Sequence, residues 1–189
     1  NYLGEIKMHP IADNLTSILS MAALVSFISW RMRVRNISLN ELGSLDLNKK
    51  DLLYGSAFLV LFIILEELYM LALGIEMPEG FITFMLSEPL ILGLISVIII
   101  APIAEEFIFR GFLYSQLSRT KLGPWGAVTL SSLLWTFIHF QYEALILVVL
   151  FGFGIFLGYI RMAYNNLSLP IALHAINNTF AFIMAYFFY

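Results

Sequence analysis

Leu90 to Leu113 reads LILGLISVIIIAPIAEEFIFRGFL. The first fifteen of these residues carry no charge, and the rest carry Glu105, Glu106 and Arg110. One helix needs about 20 mostly apolar residues to cross the hydrocarbon core of a bilayer. The stretch therefore predicts a membrane-spanning helix. Three ionisable groups inside it are costly in hydrocarbon, which makes them functional candidates.

Working outward, five more stretches have the same apolar character: Asn14 to Trp30, Leu52 to Ile75, Trp125 to Phe140, Ala144 to Arg161 and Pro170 to Phe188. The fold class is all-α, a polytopic membrane helical bundle of about six transmembrane helices. Composition agrees. The chain has 189 residues, 60% apolar and 12% charged, with a mean hydropathy of +0.88. A soluble domain has about 45–50% and about 25%. The apolar excess must face lipid or a partner, so a soluble enzyme and a disordered chain are excluded. A net charge of −3 offers no basic face for nucleic acid. With no cysteine, disulfides, thiolate metal sites and a cysteine nucleophile are excluded too. Residues 1–189 read as a single integral membrane domain with its motif-bearing core at about 90–188. Gly80 to Ser87 is a short apolar piece that lies at the interface or dips in from one side. Asn36 to Asp51 is polar, either a short surface helix or a plain linker.

The loops orient the bundle. Arg31, Arg33, Arg35, Lys49 and Lys50 follow the first span, Arg119 and Lys121 follow the third, and Arg161 ends the fifth. The loop between spans two and three holds Glu76, Glu79 and Glu88 without a basic residue. By the positive-inside rule the basic loops are cytoplasmic. A multi-pass cell-membrane protein follows, with a cavity open to the cytoplasm.

Helix geometry separates the charged groups. Glu106 and Arg110 are four residues apart and share a face, so they pair. Glu105 points about 100° away and is left over. A carboxylate in an apolar pocket becomes a stronger base. His139 ends an apolar run, with Trp135 one turn before it and able to cover its ring. His174 and Asn178 share a face of the sixth span. Two histidines, a spare carboxylate and an amide donor suffice to activate water and hold an oxyanion. Ser131 and Ser132 are not aimed at His139, so there is no nucleophile constellation. Gly154 and Gly158 fit close helix packing better than ligand binding.

Glu105-Glu106-x-x-x-Arg110, Trp135-x-x-x-His139 and His174-x-x-x-Asn178, in that order on separate spans, resemble the CPBP family. These are the CAAX prenyl endopeptidases and bacteriocin-processing intramembrane proteases, also called the Abi family. Trp135 stands where that family usually has Phe, which changes the pocket shape. The resemblance implies an intramembrane endopeptidase. It implies that Glu105 and His139 activate water, that His174 and Asn178 polarise the scissile carbonyl, and that Glu106 and Arg110 support them. It also implies a peptide or membrane-protein substrate, prenylated or not, met in the lipid bilayer. No cofactor is favoured. The alternative is zinc held by Glu105, His139 and His174, although the chain has no HExxH.

Depth poses a problem. At about 1.5 Å per residue, Glu106 lies ~24 Å from the outer end of its span and His174 ~6 Å from the inner end of its own. These agree, but His139 belongs at the far end of the fourth span. Either spans three and four project beyond the membrane on the inner side, or the Gln141–Glu143 turn dips inward and lines a wet cavity. Glu66 and Glu67 in the second span are read as interfacial or structural. Rival readings are a proton-coupled transporter, which buried Glu and His residues would suit, and a non-catalytic membrane scaffold. No internal repeat supports the former.

Overall fold

The apolar runs become helices in a computed structural model that describes residues 10–85 and 90–188. In chain order these are α1 (Pro10–Val34), α2 (Lys49–Leu73), α3 (Glu79–Met85), α4 (Leu90–Leu117), α5 (Gly123–Phe137), α6 (Ala144–Tyr164) and α7 (Ser168–Phe188). Among the described residues there is no strand, and Ser44 and Asn166 form an isolated bridge. The protein is a polytopic helical bundle. Helices α1, α2, α4, α6 and α7 are long and apolar enough to cross a membrane. Their outward faces suit lipid, as in α2, where Leu53, Phe58, Leu61, Leu65 and Leu68 are all exposed.

The expected fourth span is shorter than its apolar run. Helix α5 has 15 residues, about 22 Å. Pro124 sits in its first turn, where the missing N–H costs nothing. The chain then leaves the helix through short-range turns, His139 N–H to Thr136 O and Tyr142 N–H to His139 O. Residues 138–140 are as apolar as the helix before them, so hydropathy did not mark its end.

Helix α4 is irregular for an identifiable reason. Pro102 cannot donate a backbone hydrogen bond. Just before it the helix widens, and Ala101 N–H reaches back five residues to Ser96 O. At that spacing the partner of Val97 O would be Pro102. The orphaned carbonyl instead accepts from Asn178 Nδ2 on α7, at 2.9 Å. A second widened turn, Phe107–Leu113, carries Arg110. Such turns occur often at functional sites.

Close packing of α5 and α6 depends on glycine. A Cβ on Gly158 would stand 2.9 Å from Val128 Cγ1, and one on Gly154 3.0 Å from Ser132 Cβ. The polar stretch 36–48 is not a plain linker and does carry a short helix, though one with a buried anchor. A short 3-10 turn, Leu39–Leu42, inserts Leu42 into the core at 1% exposure. The chain is then stitched across the α6–α7 turn: Ser44 N–H to Asn165 O, Leu167 N–H to Ser44 O, Asn166 Nδ2 to Asp46 O and Ser168 Oγ to Leu45 O. Arg161 lies under this strap against Gly43, whose φ of 104° and missing Cβ allow the approach. The short apolar piece expected at Gly80–Ser87 is α3 as far as Met85. Residues 86–89, like His9, lie outside the described residues. Phe81 of α3 meets Tyr142 at 6.5 Å between ring centroids.

Candidate active site

Equal arms bring the site to one level. Glu105 stands twelve residues before the end of α4 at Leu117, and Trp135 twelve residues after the start of α5 at Gly123. The two helices run antiparallel from a short turn, so both residues sit about 18 Å from it. Trp135 Nε1 donates to Glu105 Oε2 at 2.6 Å. Trp135 is therefore level with Glu105, and His139 lies four residues further on, in the turn after α5. Helix α4 runs one turn past Leu113 and α5 ends at Phe137, which together set Trp135 opposite Glu105.

Glu105 is 7% exposed and Glu106 fully buried. Glu106 Oε1 accepts from Arg110 Nη1 and from His174 Nδ1, each at 2.9 Å. Arg110 also gives Nη2 to Gly154 O at 3.0 Å. Its guanidinium lies 5.0 Å from the Trp135 ring centre, a favourable cation–π distance. A buried ion pair loses hydration and is worthwhile only when its remaining donors are met. Here Glu106 Oε1 gathers one cation and one imidazole from two helices, while Glu106 Oε2 and Arg110 Nε stay buried without a hydrogen-bond partner.

Both histidines are held by Nδ1. His139 Nδ1 lies 2.9 Å from Trp135 O, a carbonyl that can only accept, so Nδ1 carries the proton. The same reasoning applies to His174 against the Glu106 carboxylate. Nε2 of each ring is then left for chemistry. One expectation narrows: neutral His174 has no donor to offer an oxyanion, and only its imidazolium does. Aromatic rings fix both imidazoles. Trp135 packs on His139 at 4.8 Å and on His174 at 5.8 Å, Tyr142 stacks on His139, and Phe153 meets His174 edge-on at 5.5 Å. Tyr142 and Phe153 carried no sequence signal beyond being aromatic. Gly154 did, and its carbonyl adds a second function to its packing role.

The structure thus brings together Glu105, Glu106, Arg110, Trp135, His139 and His174, with Asn178 one turn beyond His174 and bonded to Val97 of the same α4. Glu66 and Glu67 stay apart. Glu66 is half-buried in a groove of about 170 Å³ between α2 and α6, lined by Phe62, Tyr69 and Val148. Glu67 faces outward. A zinc ion would need Glu105, His139 and His174 on one point. Among the described residues no three His, Cys, Asp or Glu side chains gather closely enough to hold a metal. Trp135 also occupies one Glu105 oxygen. The donor set does not fit the ion, and no step below uses one.

Residues 87–180 match the family of type II CAAX prenyl endopeptidase Rce1-like proteins. The segment 87–180 belongs to this family. The match covers α4, α5, α6 and the part of α7 that bears His174 and Asn178. It stops short of α1, the strap and α2. The chain is also 32% identical over 113 residues to an uncharacterized 24.3 kDa protein of Escherichia coli, covering 56% of this chain and 52% of that protein. It thus spans about half the length of that curated relative. No solved structure matches it. Within the type II CAAX prenyl endopeptidase Rce1-like segment lie all three motifs and every hydrogen bond described at the site.

Proposed function

We propose that this protein is an intramembrane endopeptidase that hydrolyses a peptide bond with water activated by Glu105 and His139. The observation that carries the reading is the double hold of Trp135. Its indole donates to Glu105 and its carbonyl fixes His139, so one residue holds both groups that this reading assigns to the water.

In this reading water donates one hydrogen bond to Glu105 and one to His139 Nε2. Glu105 takes the proton as the water oxygen attacks the scissile carbonyl carbon. The carbonyl oxygen becomes an oxyanion, stabilised by the second N–H of the Asn178 amide and by His174 Nε2–H in the imidazolium form. Collapse breaks the C–N bond, and Glu105 returns the proton to the leaving amine. Glu106 and Arg110 hold His174 and touch no substrate. The substrate is a membrane-associated peptide, of CAAX type or another membrane-protein segment, prenylated or not. By the positive-inside rule the active site serves the cytoplasmic side.

The test is cleavage of candidate membrane-tethered peptides by purified protein. Wild type cleaves, Glu105→Ala does not although it folds, and a strong chelator leaves the rate unchanged. Equal rates for wild type and Glu105→Ala would remove Glu105 as the base. Loss on chelation with recovery on added zinc would replace the metal-free mechanism.

A further inference from the structure

At the basic end of the bundle, α1 and α4 flank a pocket of about 340 Å³ that none of the candidate active-site residues line. That falls at the small end of small-molecule sites, which run from about 300 to 1,000 Å³. Phe27, Ile28 and Arg31 line it from α1, Arg35 and Ile37 from the turn just after α1, and Phe112 and Gln116 from α4.

Both walls are built in the same order. On α1, Phe27 and Arg31 are four residues apart and share a face, with the aromatic ring deeper; Arg35, in the turn after the helix, bonds its N–H back to Arg31 O at 3.1 Å. On α4, Phe112 and Gln116 repeat that order, four residues apart. The arginines lie at the last turn of α1 or just beyond it, where headgroups meet the hydrocarbon. The two rings sit about one turn further in. Among the described residues neither guanidinium has a carboxylate partner; the ion pairs found belong to Glu106 and Glu41. Gln116 Nε2 is buried and has no hydrogen-bond partner. Two arginines, an unmet amide donor and two aromatic rings thus line one pocket, with the Arg31 guanidinium at its edge, 5.7 Å from the Trp30 ring centre.

We propose that this pocket binds the phosphodiester headgroup of an anionic phospholipid from the adjoining leaflet. The phosphate sits between Arg31, Arg35 and Gln116 Nε2, and the first acyl carbons lie against Phe27 and Phe112. A zwitterionic headgroup brings its own cation, which the two arginines repel. A free inorganic anion has no use for the two aromatic rings. The bound lipid joins α1, of whose span only 11% is buried within the bundle, to the helix that carries Glu105.

The proposal is independent of any peptidase activity, and so is its test. Purified protein in neutral detergent is titrated with phosphatidylglycerol or phosphatidylcholine, and bound lipid is counted by native mass spectrometry. Phosphatidylglycerol is retained selectively. Each juxtamembrane arginine is worth about a fivefold change in lipid affinity, so Arg31→Gln/Arg35→Gln lowers retention about thirtyfold. Gln116→Leu lowers it without changing charge. Arg33→Gln, which is exposed and does not line the pocket, leaves it unchanged. Equal retention by wild type and the double variant overturns the proposal. So does an equal loss in Arg33→Gln, which would mark diffuse surface charge. Full competition by inorganic phosphate would make it a free-anion site, and full competition by lauric acid or an amphiphilic peptide with a free C-terminus a carboxylate site; either also overturns it.

Discussion

Two Glu-Glu pairs stand in apolar helices of this protein, and they meet different fates. In α4 each carboxylate has its own donors: Trp135 for Glu105, Arg110 and His174 for Glu106. In α2, Glu66 lies half-buried in an apolar groove and Glu67 faces outward, and neither has an ion pair among the described residues. The local difference is one residue. Four positions after the second glutamate stands Arg110 in α4 and Leu71 in α2. The larger difference is tertiary. A carboxylate at membrane depth becomes a site when other helices present donors to it, and α5 and α7 do so only for α4.

The sharpest way to break this contrast is to neutralise one glutamate in each pair. Glu105→Gln should lower peptide cleavage by about 10²–10⁴, the range for a general base. Glu66→Gln should leave it within a factor of about two, as expected away from such features. A comparable loss in both, measured on the same substrate, would erase the distinction. Next in size is stability. Arg110→Ala leaves Glu106 buried without its cation and should cost about 3–5 kcal/mol, read as a lower unfolding temperature and less folded protein. Glu67→Ala should cost almost nothing.

Trp135→Phe sharpens the comparison within α4. It keeps an aromatic ring and removes the hydrogen bond to Glu105. A hydrogen bond to a charged group is worth about 1.5–3 kcal/mol, so the rate should fall roughly ten- to hundredfold while the fold survives. An unchanged rate would show that Glu105 needs no aiming.

Smallest is the surface contrast to the buried pair. Glu41 accepts from Ser38 N–H and pairs with Arg119 at 2.6 Å on the exposed strap. The Ser38 amide first, and Arg119 after it, hold its carboxyl below the usual 4.5. The folded value is the lower one, so the contribution is complete above pH 4.5 and lost as pH falls through the folded value. Wild type and Glu41→Gln should therefore differ slightly in unfolding temperature near neutrality and converge in acid.

Much of this was legible in residue order. Apolar runs located the helices, and four-residue spacing paired Glu106 with Arg110 and set Glu105 apart. Two facts were hidden for physical reasons. The end of α5 lies inside an apolar run, because Ile138 and Phe140 suit lipid in a turn as well as in a helix. The Glu106–His174 bond spans 68 residues, and no local period encodes a partner on another helix. The strap was hidden as well, since its polar residues spend their hydrogen bonds on the α6–α7 turn. Hydropathy reads those residues as solvated.

The strap has a consequence for the order in which the chain is made. Asp46 and Asn166 meet across 120 residues, and the strap seals against a turn synthesised long after it. His174, which completes the environment of Glu106, arrives later still. While the earlier helices enter the bilayer, Glu106 has Arg110 alone and the strap has nothing to grip. The surroundings of Glu106 are thus completed only when α7 joins the bundle.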